Sequence, residues 1–483
     1  MKAAARSIVA AWGSVALLAG CAGTRELPPA AGAVPATWYA ERPASTTPAA
    51  DLARWWAQFD DPLLSRLVEA AQRASPTIAS AASRIEQARA TRAAATAALL
   101  PALDASVSAS RGRQDASLPV GNSRSAGLQA SWELDVFGRN RAGRDAADAR
   151  LMGTDASWHD ARISVAVETA NAYIALRACE ARLTQSRLDA DSRAETARLT
   201  DLSTRAGFES RANAALARAG ASQARVVVRQ QAEQCEQDVK AVVELTAVPE
   251  PELRALAAPA SARLPQPAAI DVPGVPAAAL AQRPDVFARG REIVAASAEI
   301  AQADAARLPR ITLAGNIGYA RSESGLGSFS GTVWNIGPVS VSLPVFDAGA
   351  RRANAVAARA RYDEALSVYA GTLRTAVREV EDALVTLAGT ADRSSDAQLA
   401  ADNFEAYTRA TEARYKSGFG TLFELEDARR SALAAQNTLI DLRRERVAAW
   451  IALYRALGGG GWAGADANVS AVAGNGPATS SSP

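Results

Sequence analysis

Four stretches of the chain alternate between apolar and polar positions with a period of two, the signature of strands with one apolar face. In the first, about 103–112, Leu103, Ala105, Val107 and Ala109 alternate with Asp104, Ser106, Ser108 and Ser110. In the second, about 124–136, Ala126, Leu128, Ala130, Trp132, Leu134 and Val136 alternate with Gly127, Gln129, Ser131, Glu133 and Asp135. The third, about 310–321, carries Ile311, Leu313, Ile317 and Tyr319 on one parity. The fourth, about 333–345, starts with apolar residues at even positions, Trp334 and Ile336, and continues at odd ones, Val339, Val341 and Leu343. That switch of parity across Gly337-Pro338 requires an extra residue in the strand, and a β-bulge is predicted there.

Elsewhere the pattern is helical. A helix is predicted before each strand pair, over 77–99 and 285–307, each ending at a Leu-Pro step. After each pair, 139–205 and 349–415 contain no proline. Narrow Ala, Leu and Val stripes in a polar background suit long helices packed side by side. At about 1.5 Å per residue, each stretch would reach on the order of 100 Å, too long for a compact globule. Both stop at a glycine, Gly207-Phe208 and Gly418-Phe419, where the chain is predicted to turn back into another helix.

These elements occur twice. Leu100-Pro101 returns 208 residues later as Leu308-Pro309, Val136-Phe137 returns 209 later as Val345-Phe346, and Gly207-Phe208 returns 211 later as Gly418-Phe419. Ser75-Pro76 with Arg283-Pro284, and Glu168 with Glu379, keep the same register. The chain reads as a tandem duplication, 62–247 and 277–457. Residues 248–276 between them, rich in proline and alanine, read as a linker or equatorial segment. Before the first repeat lies an extended segment, 21–61, and after the second a Gly/Ala/Ser-rich stretch, 458–483, read as a disordered tail.

The N-terminus changes where these elements are expected to work. Lys2 and Arg6 precede a mostly apolar run, Ile8 to Leu18, shorter than the roughly 20 residues a spanning helix needs. Leu18-Ala19-Gly20-Cys21 resembles a bacterial lipobox. It predicts a signal peptide over 1–20 and a diacylglycerol and N-acyl lipid on Cys21, with no other cofactor. The alternative is an ordinary signal cut nearby with Cys21 a bystander. Ala22, not aspartate, follows, resembling the pattern that sorts lipoproteins to the outer membrane. No later stretch is apolar enough for a transmembrane helix, so a membrane crossing would have to use the strands. Periodicity alone also fits a soluble sheet with one wet face; the export signal favours the barrel. Four strands cannot close one, and open edges are not viable in lipid. Two copies would give eight strands with a filled interior, whereas three would give twelve and a useful lumen.

Charge and reactive residues narrow the function by exclusion. With 53 basic against 51 acidic residues, no nucleic-acid partner is implied. One histidine, His159, and three cysteines leave little for metal or nucleophilic chemistry, and no phosphate-binding glycine loop is present. His159 reads as a helix-surface residue, and an enzyme is not expected. Cys179 and Cys235 lie equally far, 28 residues, on either side of Gly207. In an antiparallel pair turning there they would be level. In an oxidising compartment a disulfide is predicted if both side chains share the facing seam; otherwise they are two buried thiols.

Several segments together resemble a known family: Trp55-Trp56-Ala57-Gln58-Phe59-Asp60-Asp61-Pro62-Leu63, Gln282-Arg283-Pro284-Asp285-Val286, Leu343-Pro344-Val345-Phe346-Asp347 and Arg414-Tyr415-Lys416-Ser417-Gly418. They resemble the TolC-like outer-membrane factors, in the lipidated branch that includes OprM and NodT, over about residues 50–457. The resemblance implies a mainly α fold with membrane β: a homotrimer with a twelve-stranded outer-membrane barrel and a periplasmic α-barrel of long helices. It implies a passive exit duct for small toxic compounds in a tripartite efflux system. The expected partners are a periplasmic adaptor and an inner-membrane pump of the RND type. Two alternatives stay open: the duct of a type I protein secretion system, or a non-conducting periplasmic lipoprotein.

The resemblance also assigns roles to the turns. Gly207, Phe208, Gly418 and Phe419 fall at the family's periplasmic tips, where the adaptor docks. Tyr415, Glu424 and Asp427 fall where the family places its gate, a tyrosine latch and acids that a trimer turns into rings. The alternative for Glu424 and Asp427 is a solvated helix face beside Arg429 and Arg430. The pattern departs at Gly420, where some members have a bridging arginine, and at Asn213, where an acid often sits; Glu209 and Arg211 are candidate substitutes.

Overall fold

The computed structural model describes residues 35, 37–40, 55–113, 119–267, 280–324 and 327–459. Cys21, the signal segment and all of the expected tail beyond Gly459 lie outside the described residues. The described residues form two compact units, one within 92–149 and 290–366, the other within 35–91, 150–289 and 367–459.

The first unit holds a four-stranded antiparallel sheet, β1 (Ala102–Gly112), β2 (Gly121–Leu134), β3 (Arg310–Ser324) and β4 (Gly327–Ser342), in the order β1-β2-β3-β4. The register explains the sequence pattern. Leu103 faces Ala130, Ala105 faces Leu128, Leu128 faces Ile317 and Ile317 faces Trp334. Trp132 faces Leu313, which faces Val339. Residues opposite one another share a face of the sheet, so the alternating apolar residues of all four strands form one surface. Asp104, Gln129, Asn316 and Asn335, also in register, lie on the other. That apolar surface is open: Val107, Ile317, Trp334, Ile336 and Val341 are all exposed.

The bulge falls where the parity switch places it. Leu313 pairs with Val339 and Gly315 with Ile336, so Gly337 and Pro338 together oppose the single residue Ala314. The Gly337-Pro338 peptide is cis, with Gly337 at φ 108°. The extra residue keeps Ile336 and Val339 on the same face although they are three apart. Strand ends differ from the pattern-based ones. β2 and β4 begin earlier, because Ser- and Gly-rich residues pair within the hairpins. They stop earlier because the next residues start helices: Asp135 accepts from the Asn140 and Arg141 amides at 3.0 and 2.8 Å, and Asp347 from those of Gly349 and Arg351 at 3.0 and 3.1 Å.

The helices are α1 (Pro62–Ala74), α2 (Pro76–Ala97), α3 (Arg139–Arg205), α4 (Arg211–Thr246), α5 (Glu250–Ala257), α6 (Pro284–Ala305), α7 (Ala350–Lys416) and α8 (Leu422–Ala456). The repeat is visible in their lengths: α3 and α7 have 67 residues each, α4 and α8 have 36 and 35. None of the described helices is long and apolar enough to cross a membrane.

The main core of the second unit explains the first family segment. Trp55 is buried against Trp450 and Tyr454, with ring centroids 6.2 and 5.4 Å apart. Asp61 caps α1, accepting from Leu63 and Leu64 amides, and also accepts a 2.6 Å bond from the Tyr173 hydroxyl. Tyr173 in turn accepts from Arg177, a fully buried guanidinium that also reaches Glu180 and the Ala257 carbonyl, each at 2.9 Å. A buried charge must be paired or hydrogen-bonded to be tolerated, and this chain of contacts does that. It also fixes residues 248–267. They read as a linker, yet they contain α5 and a 3-10 turn (Ala258–Ala260), with Leu253 and Ala257 in the core.

Arg283 of the second segment plays the equivalent part in the second repeat. It is buried, pairs with Asp285 and Glu379 at 2.8 Å, and donates to the Ala456 carbonyl at 3.1 Å. Burial pushes the Asp285 carboxyl up, but the hydrogen bonds and charge of Arg283 outweigh it and hold the group below the usual range. Asp160, facing the same cluster, is raised by burial and by the charge of Asp285. His159 is half-buried rather than fully on the surface, edge-on to Trp158 with centroids 4.8 Å apart, and burial lowers its pKa.

Candidate functional site

The tips of the two long hairpins are built alike. At the first, the Gly207 amide donates to the Thr204 carbonyl at 3.1 Å and the Phe208 amide to that of Ser203 at 2.9 Å. At the second, Gly418 donates to Tyr415 at 3.0 Å and Phe419 to Arg414 at 2.9 Å. Each is a Schellman ending, with Gly in the left-handed region, φ +84° and +81°, where a side chain would be strained. Phe208 and Phe419 are left 85% and 79% exposed, and Phe423 is exposed beside them. Exposed rings at the turns of polar helices give each tip an apolar point.

The helices leaving the tips start differently. At the second, Thr421 accepts from the Glu424 amide at 3.2 Å and the Glu424 carboxylate accepts from the Thr421 amide at 3.1 Å, a complete capping box. At the first, Ser210 accepts from the Asn213 amide at 3.1 Å, and the Asn213 side chain donates to Glu209 instead, at 2.7 Å. Asn213 therefore stands at the capping position of Glu424, the same 211 residues apart as the tip glycines. Gly420, which aligns with Glu209, has no room to spare: a Cβ there would lie 3.1 Å from the Tyr415 amide nitrogen.

Among the described residues no hydrogen bond or ion pair joins the three expected gate residues to one another. The Tyr415 hydroxyl bonds Thr200 Oγ1 at 2.8 Å, joining α7 to α3, and its ring packs on Ala197, Ala217, Ala221 and Leu422. Glu424 closes its own helix end, as above. Asp427 pairs with Arg430 at 2.9 Å, with both side chains more than 60% exposed. Of the two candidate substitutes, Glu209 is turned onto its own helix start and Arg211 is exposed.

A buried charge network near the tips carries no sequence expectation. Arg193 pairs with Asp189 on α3 at 2.8 Å and with Glu426 on α8. Arg429, only 4% exposed, pairs with Glu426 at 3.2 Å and Glu412 at 3.5 Å, and donates to Ser192 at 2.7 Å. Arg429 is not part of a solvated face but among the most buried charges here. The sequence offers the within-helix pairs, Asp189 to Arg193 and Glu426 to Arg429. It does not show that the two hairpins interlock through them.

Further along the first hairpin, Cys179 and Cys235 are joined by a disulfide, S–S 2.11 Å, Cα–Cα 5.5 Å. Both cysteines are buried, so they do share the seam between α3 and α4. At the 211-residue offset the second hairpin has Thr390 and Arg446. Among the described residues no cluster suited to a metal is present.

Known proteins share this architecture. The sequence profile of the family described as "Outer membrane efflux protein" matches residues 67–248 and 275–459. The chain is 33% identical over 425 residues to the outer membrane protein OprJ of Pseudomonas aeruginosa, covering 85% of this chain and 87% of that one. It is 31% identical over 414 residues to the toluene efflux pump outer membrane protein TtgI of Pseudomonas putida, covering 83% and 86%. The open-state outer membrane channel MtrE of Neisseria gonorrhoeae superimposes with a TM-score of 0.77 at 28% identity, over 90% of this chain and 97% of that one.

Proposed function

The chain belongs to the outer membrane efflux protein family and is an outer-membrane efflux channel, and from that premise we propose how it is assembled and gated. Three copies close a twelve-stranded barrel, anchored by lipid on Cys21 and continued into the periplasm by the long helices. The carrying observation is the sheet: four strands with a continuous apolar face and two unpaired edges, β1 and β4. An open edge is not tolerated in lipid, so β4 of one copy is completed by β1 of the next.

In this reading the duct is passive, and energy and selection come from an inner-membrane pump reached through a periplasmic adaptor. The exposed rings of Phe208, Phe419 and Phe423 give an adaptor an apolar foothold. Small toxic organic compounds are the proposed cargo, in keeping with a relative whose name says toluene. The Tyr415–Thr200 bond supports a latch, and Glu424 and Asp427, three apart on α8, would form two acid rings in the trimer, narrowing it and attracting cations.

The mass of the detergent-purified protein tests the assembly. Three mature chains per particle, with heat-modifiable migration, are expected. A monomer with no conductance in planar bilayers, even after Glu424 and Asp427 are neutralised, would instead favour a structural lipoprotein.

A further inference from the structure

Within the sheet-bearing unit, a hollow of about 300 Å³ lies where the strands give way to helices. It is lined by three guanidinium groups, Arg139 at the start of α3 and Arg351 and Arg361 on α7, together with Glu299 and Asn354 and a floor of alanines. Positive charge exceeds negative. Arg361 lies 3.8 Å from Glu299 and Arg351 lies 3.1 Å from the helix-capping Asp347. The Arg139 guanidinium has no ion-pair or hydrogen-bond partner among the described residues.

The hollow can be assigned a side. Arg139 and Arg351 also line the adjoining cleft, whose other walls include Glu133, Arg310 and Ser342. Those three sit on the polar face of the sheet, Glu133 paired with Thr312 and Arg310 with Ser342, and of the cleft's strand residues only Leu134 comes from the apolar face. In a barrel whose apolar face meets lipid, the polar face lines the lumen. Each arginine would then be repeated three times around it.

We propose that this hollow binds an oxyanion, the carboxylate or phosphate of a solute in transit, and that it makes a basic collar inside the duct. Guanidinium groups grip such anions through paired hydrogen bonds, and a partly enclosed site strengthens them. An anion drawn to Arg139 is shared with Arg361 and Arg351 around a cavity large enough for a small organic acid. The side assignment rests on the duct reading; the binding chemistry does not.

Calorimetric titration of benzoate and of inorganic phosphate into the purified full-length assembly tests it, comparing wild type with Arg139→Gln/Arg361→Gln. Arg351 is left alone because it holds a helix-capping carboxylate. Saturable binding of either anion, weakened at least tenfold in the variant and absent for benzyl alcohol, is expected. Preference between the two anions says which oxyanion the site takes. No saturable binding to the wild type, or equal binding to a variant that keeps its assembly mass, overturns the proposal. If the variant does not assemble, the wild type decides: its thermal midpoint must rise with benzoate or phosphate at constant ionic strength, and no rise overturns the site. Binding without conductance would strike the duct reading, and conductance without binding would strike only the collar.

Discussion

The two long hairpins share a length, a turn and a glycine-phenylalanine tip, yet they are secured in different ways. The first, α3 with α4, carries a disulfide between residues 56 apart in sequence, and its second helix begins without a capping box. The second, α7 with α8, has Thr390 and Arg446 where the cysteines would be, and begins with the Thr421–Glu424 box. The duplicated plan therefore fixes where the chain turns, while the individual repeat decides what holds the arms together. A covalent staple constrains the unfolded chain whatever the tip does. Caps and ion pairs hold only while local geometry is kept. The first hairpin is thus the stiffer frame, and the second is held by contacts that can be exchanged, several of them reaching across to the first.

The largest expected effect is on the staple. Cys179→Ser/Cys235→Ser should cost up to about 4 kcal/mol, the chain-entropy value for a loop of that size. Amide exchange should speed up mainly in α3 and α4. An equal loss of protection in α7 and α8 would show that the hairpins do not differ in this way. Next comes the charged bridge between them. Arg429→Met removes a buried guanidinium from Glu426, Glu412 and Ser192 and should cost about 3 kcal/mol, since the carboxylates lose a buried partner. Here protection should fall in both hairpins, and a loss confined to α8 would contradict the interlock. The smallest effect checks the common turn. Gly207→Ala and Gly418→Ala should each cost about 1 kcal/mol, because each forces a side chain into the left-handed region. Thermal midpoints shifted by clearly different amounts would mean that the tips are less alike than their hydrogen bonds suggest.

Much of this fold was legible because it rests on periodicity. The parity of Trp334 and Ile336 against Val339 and Val341 locates the bulge from sequence alone, since apolar residues of opposite parity can share a face only if the strand gains a residue. The level placement of Cys179 and Cys235 followed from counting along two helices of equal rise. Proline-free runs marked α3 and α7. What escaped was tertiary. Arg193 and Arg429 look like ordinary helix-surface charges until α3 and α8 come together, and only then is their burial visible. The core position of Leu253 was hidden in a stretch whose composition reads as a linker. Glu424 shows a third limit. Its place after the tip suggested a gate, whereas within one chain its carboxylate closes a helix end, and a ring of such groups belongs to the assembly rather than to the chain.

Whether the outer-membrane channel is closed at acidic tips is decided by single-channel recording of the purified protein in planar bilayers. The comparison is wild type against Glu424→Gln/Asp427→Asn; glutamine at residue 424 can still complete the capping box with Thr421, so the helix start is preserved. A small wild-type conductance that rises severalfold in the double variant, with weaker cation preference, is the predicted result. Equal conductance and equal selectivity in the two proteins would contradict the gate, and a flat baseline in both would contradict the channel itself.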